Sequence, residues 1–160
     1  LLLDSIKKSE QGRIVNVASG SHYKGKIDFE SFTENKSYFV LKAYEQSKLA
    51  NVLFSNELAE RLRGTSVTVN SLHPGFVKTH IGNKNATWYS SILWSLITMA
   101  GLSIEDGAKT SVYLASSPEV KGVTGKYFDK CKEKEPSKLA LDKKLGKELW
   151  EKSEQLCAIS

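Results

Sequence analysis

The sequence has little of what a disulfide-rich, zinc-binding or repetitive protein needs. Its two cysteines, Cys131 and Cys157, lack the spacing of a zinc site and are too few for a disulfide framework. We therefore expect an intracellular, reducing compartment. There is no internal repeat and no low-complexity tract, and only three prolines and eleven glycines occur in 160 residues. This composition favours one globular unit over residues 1–160.

A long hydrophobic run is also absent. The longest uncharged apolar segment, residues 88–102, has 15 residues, whereas a spanning helix needs about 20. The segment fits three alternatives, namely a buried helix, a substrate lid or a helix in peripheral contact with a membrane surface. Trp88, Trp94 and Met99 fit a hydrophobic substrate pocket and core packing equally well.

Charge of one sign is not concentrated in the way nucleic-acid binding requires. The formal net charge of +5 comes mainly from lysines, many of them in residues 130–134 and 142–144, where acidic residues are interspersed. A nucleic-acid binder would favour an arginine-rich stripe with aromatic residues between the charges. The pattern predicts a solvated helical face and no nucleic-acid partner.

What the chain does have is an alternation of strand and helix patterns. Apolar, β-branched runs predict strands at 13–18, 67–72 and 122–128, and helical patterns follow at 41–63, from 103 and from 137. This order predicts an α/β fold with parallel strands, the carboxy-terminal half of a doubly wound (Rossmann-like) sheet with flanking helices. The first strand would have a bare edge, which implies missing strands or a partner, so an oligomer remains open.

Three residues are candidates for chemistry. Tyr44 and Lys48 are four residues apart on the predicted helix, so they project from one face, and an ammonium beside a phenol favours the phenolate. Ser19 follows an apolar strand, at the sheet edge where open α/β folds gather reactive groups. For His22 and His73 we expect structural roles, because no partner stands at metal-ligand spacing, and we expect no metal site.

These residues lie in segments that resemble a known family. Arg-Ile-Val-Asn-Val-Ala-Ser at 13–19, Ala-Tyr-Glu-Gln-Ser-Lys-Leu-Ala-Asn at 43–51 and His-Pro-Gly-Phe-Val-Lys-Thr at 73–79 resemble the short-chain dehydrogenases/reductases, and within them the retinol dehydrogenases. The resemblance implies that Tyr44 is the proton donor or acceptor in the interconversion of an alcohol and a carbonyl. It also implies that Lys48 promotes the ionisation of Tyr44 and that Ser19, with Tyr44, binds the substrate oxygen.

The resemblance further implies a cofactor and a substrate class. NADP(H) is expected ahead of NAD(H), and the residues implied to bind it are Tyr44, Lys48, Pro74, Gly75, Val77 and Thr79. The substrate would be an apolar alcohol or aldehyde, retinol- or retinal-like or lipid-derived.

The family's glycine-rich cofactor turn, Gly-x-x-x-Gly-x-Gly, is not found in the sequence. The resemblance therefore covers a partial domain, residues 1–160, whose amino-terminal cofactor-binding half is missing, and we expect this chain alone to be inactive. The alternative is a truncated, non-catalytic fragment that serves only as an interaction module.

Overall fold

The computed structural model describes residues 2–34, 38–75 and 103–157. Its helices and strands, in chain order, are α1 (Leu3–Lys7), β1 (Arg13–Val17), α2 (Val40–Arg61), β2 (Thr68–His73), α3 (Ile104–Ser116), β3 (Lys126–Asp129), β4 (Lys132–Glu133) and α4 (Lys143–Cys157). Single-turn 3-10 helices occur at Gly20–Tyr23, Glu30–Phe32, Pro118–Val120 and Lys138–Leu141.

The strands form one sheet in the order β1-β2-β3-β4. β2 pairs in parallel with β1 and with β3, and the short β4 pairs antiparallel with β3. The register places Val17 opposite Leu72 and His73 opposite Asp129. The predicted α/β fold is therefore confirmed, and the carboxyl ends of three parallel strands lie along one edge of the sheet.

Helices pack on both faces of the sheet. Because successive side chains of a strand point to opposite faces, Ile14 and Val69 pack beneath α2, whereas Leu72 and Phe128 pack against Leu114 of α3. A further cluster joins α2 to α4 through the buried residues Leu49, Leu53 and Leu149. The core thus fixes α2 against the sheet, and α2 carries two of the candidate residues.

β1 is at the edge of the sheet. Within residues 2–34, 38–75 and 103–157 it pairs with β2 alone, and Val17 is 47% exposed. Buried parallel strands are normally covered on both sides. The bare edge that the apolar sequence of β1 predicted is present in this part of the chain.

Two predicted boundaries differ from the observed ones by more than two residues. The third strand begins at Lys126 and not at 122, because Gly122 (φ 75°) and Gly125 (φ 69°) adopt left-handed backbone conformations that end a strand. The last helix begins at Lys143 and not near Ser137. The Ser137 hydroxyl instead accepts from Ala140 N–H (3.3 Å) and caps a 3-10 turn, and Asp142 then accepts from Leu145 N–H (3.0 Å) at the start of α4.

The connection from β1 to α2, predicted as a loop, contains two 3-10 turns and docks closely on α2. A Cβ atom at Gly25 would lie 2.5 Å from the Glu45 carbonyl oxygen and 2.8 Å from the Leu49 Cβ. Asp28 N–H also donates to the Gln46 side chain (3.0 Å). The absence of a side chain at Gly25 lets this connection lie against the helix turn between Tyr44 and Lys48.

Candidate active site

Ser19 lies just beyond the carboxyl end of β1 and is nearly buried. Its side chain caps the 3-10 turn Gly20–Tyr23, because Ser19 Oγ accepts from Ser21 N–H at 3.2 Å. The Ser19 hydroxyl also donates to Ser21 Oγ, over a long distance of 3.4 Å between the two oxygens. Ser19 Oγ is thus held in place by the hydrogen bond that it accepts, while its own O–H group can donate to a better acceptor such as a substrate oxygen.

Tyr44 and Lys48 lie in the first half of α2. Lys48 Nζ is 5.5 Å from the centre of the Tyr44 ring, and it donates to the Val17 carbonyl oxygen at 3.4 Å. Tyr44 is 44% exposed. The predicted pair therefore shares one helix face, and Lys48 reaches the end of β1, two residues before Ser19.

Asn51 shares the partner of Lys48 and was missed by the sequence analysis. Its side-chain amide donates to the Val17 carbonyl oxygen at 3.3 Å. The sequence spacing could have indicated this position, because Asn51 follows Lys48 by three residues and therefore faces the same side of the helix. Together the two donors hold the end of β1 against α2.

His22 and His73 lie near Ser19. His22 is fully buried, and burial lowers its pKa against the opposing effect of its hydrogen bond to the Ser19 carbonyl; the charges of His73 and Lys134 lower it further. Burial also lowers the pKa of His73, although the charge of Asp129 raises it and those of Lys134 and Lys130 lower it. A Cβ atom at Gly20 would lie 3.7 Å from His73 Nε2, so the two strand ends meet here.

Pro74 and Gly75 directly follow β2 at the same edge of the sheet. They line a cavity of about 320 Å³ together with His73, Thr110, Asp129 and Cys131. Gly75 has φ 84°, a conformation that favours glycine. Two other residues implied to bind the cofactor, Val77 and Thr79, lie outside the described residues, as does the segment 88–102.

A larger cavity of about 880 Å³ lies at the opposite end of the sheet, near the amino ends of β2 and β3, where Thr68 and Gly125 line it. It is remote from Ser19 and is lined by neither Tyr44 nor Lys48.

Among residues 2–34, 38–75 and 103–157, no group of three or more His, Cys, Asp and Glu side chains is placed to hold a metal ion. Within the same ranges, no helix is long and apolar enough to cross a membrane.

Comparison with known proteins identifies related sequences. The profile of the family described as short chain dehydrogenase matches residues 1–90. Retinol dehydrogenase 14 of Mus musculus is 44% identical over 99% of this chain and 48% of its own length, and retinol dehydrogenase 13 of Homo sapiens is 42% identical over 99% of this chain and 50% of its own length. The chain thus spans about half the length of the curated relatives it matches.

A solved structure shares the fold. The crystal structure of an uncharacterised protein from Mycobacterium paratuberculosis superposes with a TM-score of 0.65 at 28% identity, covering 90% of this chain and 49% of that one. The chain thus spans about half of that structure as well.

Proposed function

Because this chain belongs to the short-chain dehydrogenase family, we propose that it carries the reacting side chains of an oxidoreductase that interconverts an alcohol and a carbonyl. The observation that carries the proposal is the convergence at the end of β1. Lys48 Nζ bonds to the Val17 carbonyl (3.4 Å), the Tyr44 ring lies 5.5 Å from that nitrogen, and Ser19 follows two residues after Val17. A phenol, an ammonium and a hydroxyl at one sheet edge suit general acid-base catalysis.

In this proposal each side chain has one role in carbonyl reduction. The Tyr44 hydroxyl gives its proton to the substrate oxygen, and in alcohol oxidation the phenolate takes that proton back. Ser19 Oγ–H donates to the same substrate oxygen and orients it, since its hydrogen has only a long contact to Ser21. Lys48 places a positive charge beside Tyr44 and favours its anionic form after the proton has left.

The same residues suit the nicotinamide end of a dinucleotide, and we infer NADP(H) ahead of NAD(H). When bound, this cofactor supplies the hydride that the carbonyl carbon receives. The Lys48 ammonium would hold the ribose hydroxyls, and the backbone of Pro74 and Gly75, which lines the cavity of about 320 Å³, would lie beside the nicotinamide. We propose Val77 and Thr79 for the same loop.

For the substrate we propose an apolar alcohol or aldehyde of the retinoid or lipid-derived class. The names of the relatives support this class, since they are retinol dehydrogenases. The uncharged residues 88–102, with Trp88, Trp94 and Met99, would supply an apolar lining, and the same segment would make any peripheral membrane contact. We also propose a reducing compartment, in keeping with the free thiols of Cys131 and Cys157.

A second candidate, a non-catalytic interaction module, is favoured by the exposed edge of β1. Within the described residues one edge of this apolar strand is unpaired, and this edge, with an exposed Val17, can pair with another chain. In this alternative Tyr44, Lys48 and Ser19 would have no chemical role. The two candidates therefore differ in what a substitution of Tyr44 does to turnover.

Steady-state kinetics of the complete protein encoded by this reading frame, with retinal and NADPH, test the proposal. We expect Tyr44→Phe to lower kcat by about 100-fold or more, because a positioned acid-base group contributes about 10²–10⁴-fold. Phe54→Tyr, also on α2, is the control for a phenol added away from the site. Retention of more than about a tenth of the activity by Tyr44→Phe would contradict the proton-transfer role.

A further inference from the structure

His22 is a fully buried polar side chain that the proposed chemistry does not use. It lies in the 3-10 turn directly after Ser19 and is 0% exposed. Its ring packs against the rings of Tyr23 and Tyr127, at centroid distances of 4.1 and 4.7 Å. A buried imidazole needs partners for both ring nitrogens, and His22 has both.

The two partners define the protonation of the ring. His22 Nδ1 lies 2.7 Å from the Ser19 carbonyl oxygen, which can only accept, so Nδ1 carries the hydrogen. His22 Nε2 lies 3.1 Å from Ser137 N, whose N–H can only donate, so Nε2 carries none. The contacts therefore select the neutral Nδ1–H tautomer.

These contacts hold Ser19 by its backbone. The Ser19 carbonyl oxygen accepts twice from His22, from the ring Nδ1–H at 2.7 Å and from the backbone N–H at 3.1 Å. The side-chain oxygen of Ser19 is held separately by Ser21 N–H. Both polar ends of Ser19 are thus fixed by the turn that follows it.

The other end of the ring is held by a segment that is distant in sequence. Ser137 is 115 residues from His22 and itself caps the 3-10 turn before α4. Tyr23 strengthens this junction, because its hydroxyl donates to the Glu135 carbonyl oxygen at 2.5 Å. His22 therefore links Ser19 to the backbone just before α4.

We propose that His22 is a positioning residue for Ser19, whose neutral ring joins the Ser19 carbonyl to Ser137 N–H and keeps the Ser19 hydroxyl in the orientation that the substrate oxygen requires. The inference rests on the proposed function of Ser19. It assigns His22 no contact with the substrate and no proton transfer.

Two substitutions distinguish the hydrogen bond made by His22 Nδ1 from the one made by His22 Nε2. In His22→Asn the amide nitrogen can still donate to the Ser19 carbonyl, whereas in His22→Gln the longer side chain can still accept from Ser137 N–H. We expect His22→Gln to lower kcat for retinal reduction by the complete protein about tenfold or more, since a small misplacement of a reacting group is costly. His22→Asn should stay within about threefold of the parent, because the contact to Ser19 is retained.

Thermal unfolding of both variants provides the structural readout. A merely structural role predicts that kcat follows the loss of stability in the two variants alike. We expect the two kcat values to differ even where the melting temperatures agree. Equal kcat losses in His22→Asn and His22→Gln would overturn the inference.

A double-mutant cycle with Ser19→Ala distinguishes this inference from the proposed function. If His22 acts through Ser19, His22→Gln should change kcat less than about twofold once Ser19 is alanine. Fully additive losses would overturn the positioning role of His22 and leave the role of Ser19 intact. Unchanged turnover in Ser19→Ala alone would overturn the proposed role of Ser19, and the inference with it.

Discussion

The two halves of helix α2 have opposite environments. In the first half Val40, Leu41 and Tyr44 are exposed, and Lys48 reaches out to the end of β1. From Leu49 onward the helix is anchored in the core by buried side chains, namely Leu49, Val52, Leu53, Leu58 and Ala59. One rigid element thus holds Tyr44 and Lys48 at one end by packing at the other, which is how precise sites are supported.

This difference separates stability from activity along a single helix. Changes in the second half should alter the free energy of unfolding, and changes in the first half should alter turnover. The connection at Gly25 lies where the halves meet, since it contacts Glu45 and Leu49. Substitutions at these three places test whether the separation holds.

The largest expected effect is on stability, from Leu53→Ala in the second half. Leu53 is 1% exposed within the cluster that joins α2 to α4, so we expect the free energy of unfolding to fall by about 2–5 kcal/mol. Urea denaturation of the complete protein measures it. Leu41→Ala, in the exposed first half, is the matched control and should change it by about 0.5 kcal/mol or less. Equal changes would show that the two halves are equally anchored.

In the first half, Lys48→Met should affect activity. Removing the ammonium next to Tyr44 and Val17 should lower kcat/KM by about 100-fold and raise the KM for the nucleotide, with little change in urea midpoint. Lys48→Arg should recover little, because a planar guanidinium does not replace a point charge on a flexible stem. A variant Lys48→Met with full kcat/KM would remove Lys48 from the site.

At the junction, Gly25→Ala should destabilise by about 1–3 kcal/mol. The new methyl would lie 2.5 Å from the Glu45 carbonyl oxygen, which is backbone and cannot swing away. In Gly146→Ala, the control within α4, the nearest atom is 3.8 Å away, and the helix should gain about 0.5–1 kcal/mol. If both substitutions had the same sign in urea denaturation, the close docking on α2 would be wrong.

The smallest expected effect is the contribution to the pH dependence of stability made by His22, in the 3-10 turn that packs on α2. Burial lowers the pKa of His22, so the unfolded chain binds more protons below about 6.5. The contribution of His22 to the free energy of unfolding should be fully present above that pH and should decline as the pH falls toward the lower pKa that His22 has in the folded state. His73 and Lys134, whose charges act on His22, and the rings of Tyr23 and Tyr127 are the groups that face it.

Urea midpoints between pH 5 and pH 8 measure this decline. His22→Asn should reduce the slope, because one group with a lowered pKa is removed while His73, whose pKa is also lowered by burial, remains. A slope unchanged by His22→Asn would assign the whole acid sensitivity to His73 or to other groups.

Local patterns predicted the elements that carry the site. The apolar run before Ser19 predicted β1, and the four-residue spacing of Tyr44 and Lys48 placed both on one helix face, as the structure confirms. The helix predicted from residue 103 is also present as α3, and the Ser103 hydroxyl caps it by accepting from Asp106 N–H at 3.0 Å. These features depend on neighbours within a few residues, so the sequence contains them directly. The roles proposed for Ser19, Tyr44 and Lys48 stay predictions.

Features that depend on distant residues could not be predicted. The contact of His22 with Ser137 joins positions 115 residues apart and follows no periodicity. The β3–β4 hairpin was missed because its two turn residues, Lys130 (φ 51°) and Cys131 (φ 60°), are left-handed without being glycine or asparagine. Cys131 N–H donates to Thr110 Oγ1 at 3.2 Å, a tertiary contact that helps to hold this unusual turn.

The proposed function assigns the proton-transfer side chains and the turn that would bind the pyrophosphate of a dinucleotide to different parts of the family fold. The 160 residues contain Ser19, Tyr44 and Lys48 but no Gly-x-x-x-Gly-x-Gly turn that would give backbone donors at a helix end. Calorimetric titration of NADPH and NADH against the purified 160-residue chain tests this separation most directly. We expect no binding tighter than about millimolar, because the glycine turn whose backbone N–H groups receive a pyrophosphate is not found in this sequence. Micromolar binding of either nucleotide would contradict it and would place pyrophosphate and adenosine contacts, as well as the nicotinamide contacts, within these residues.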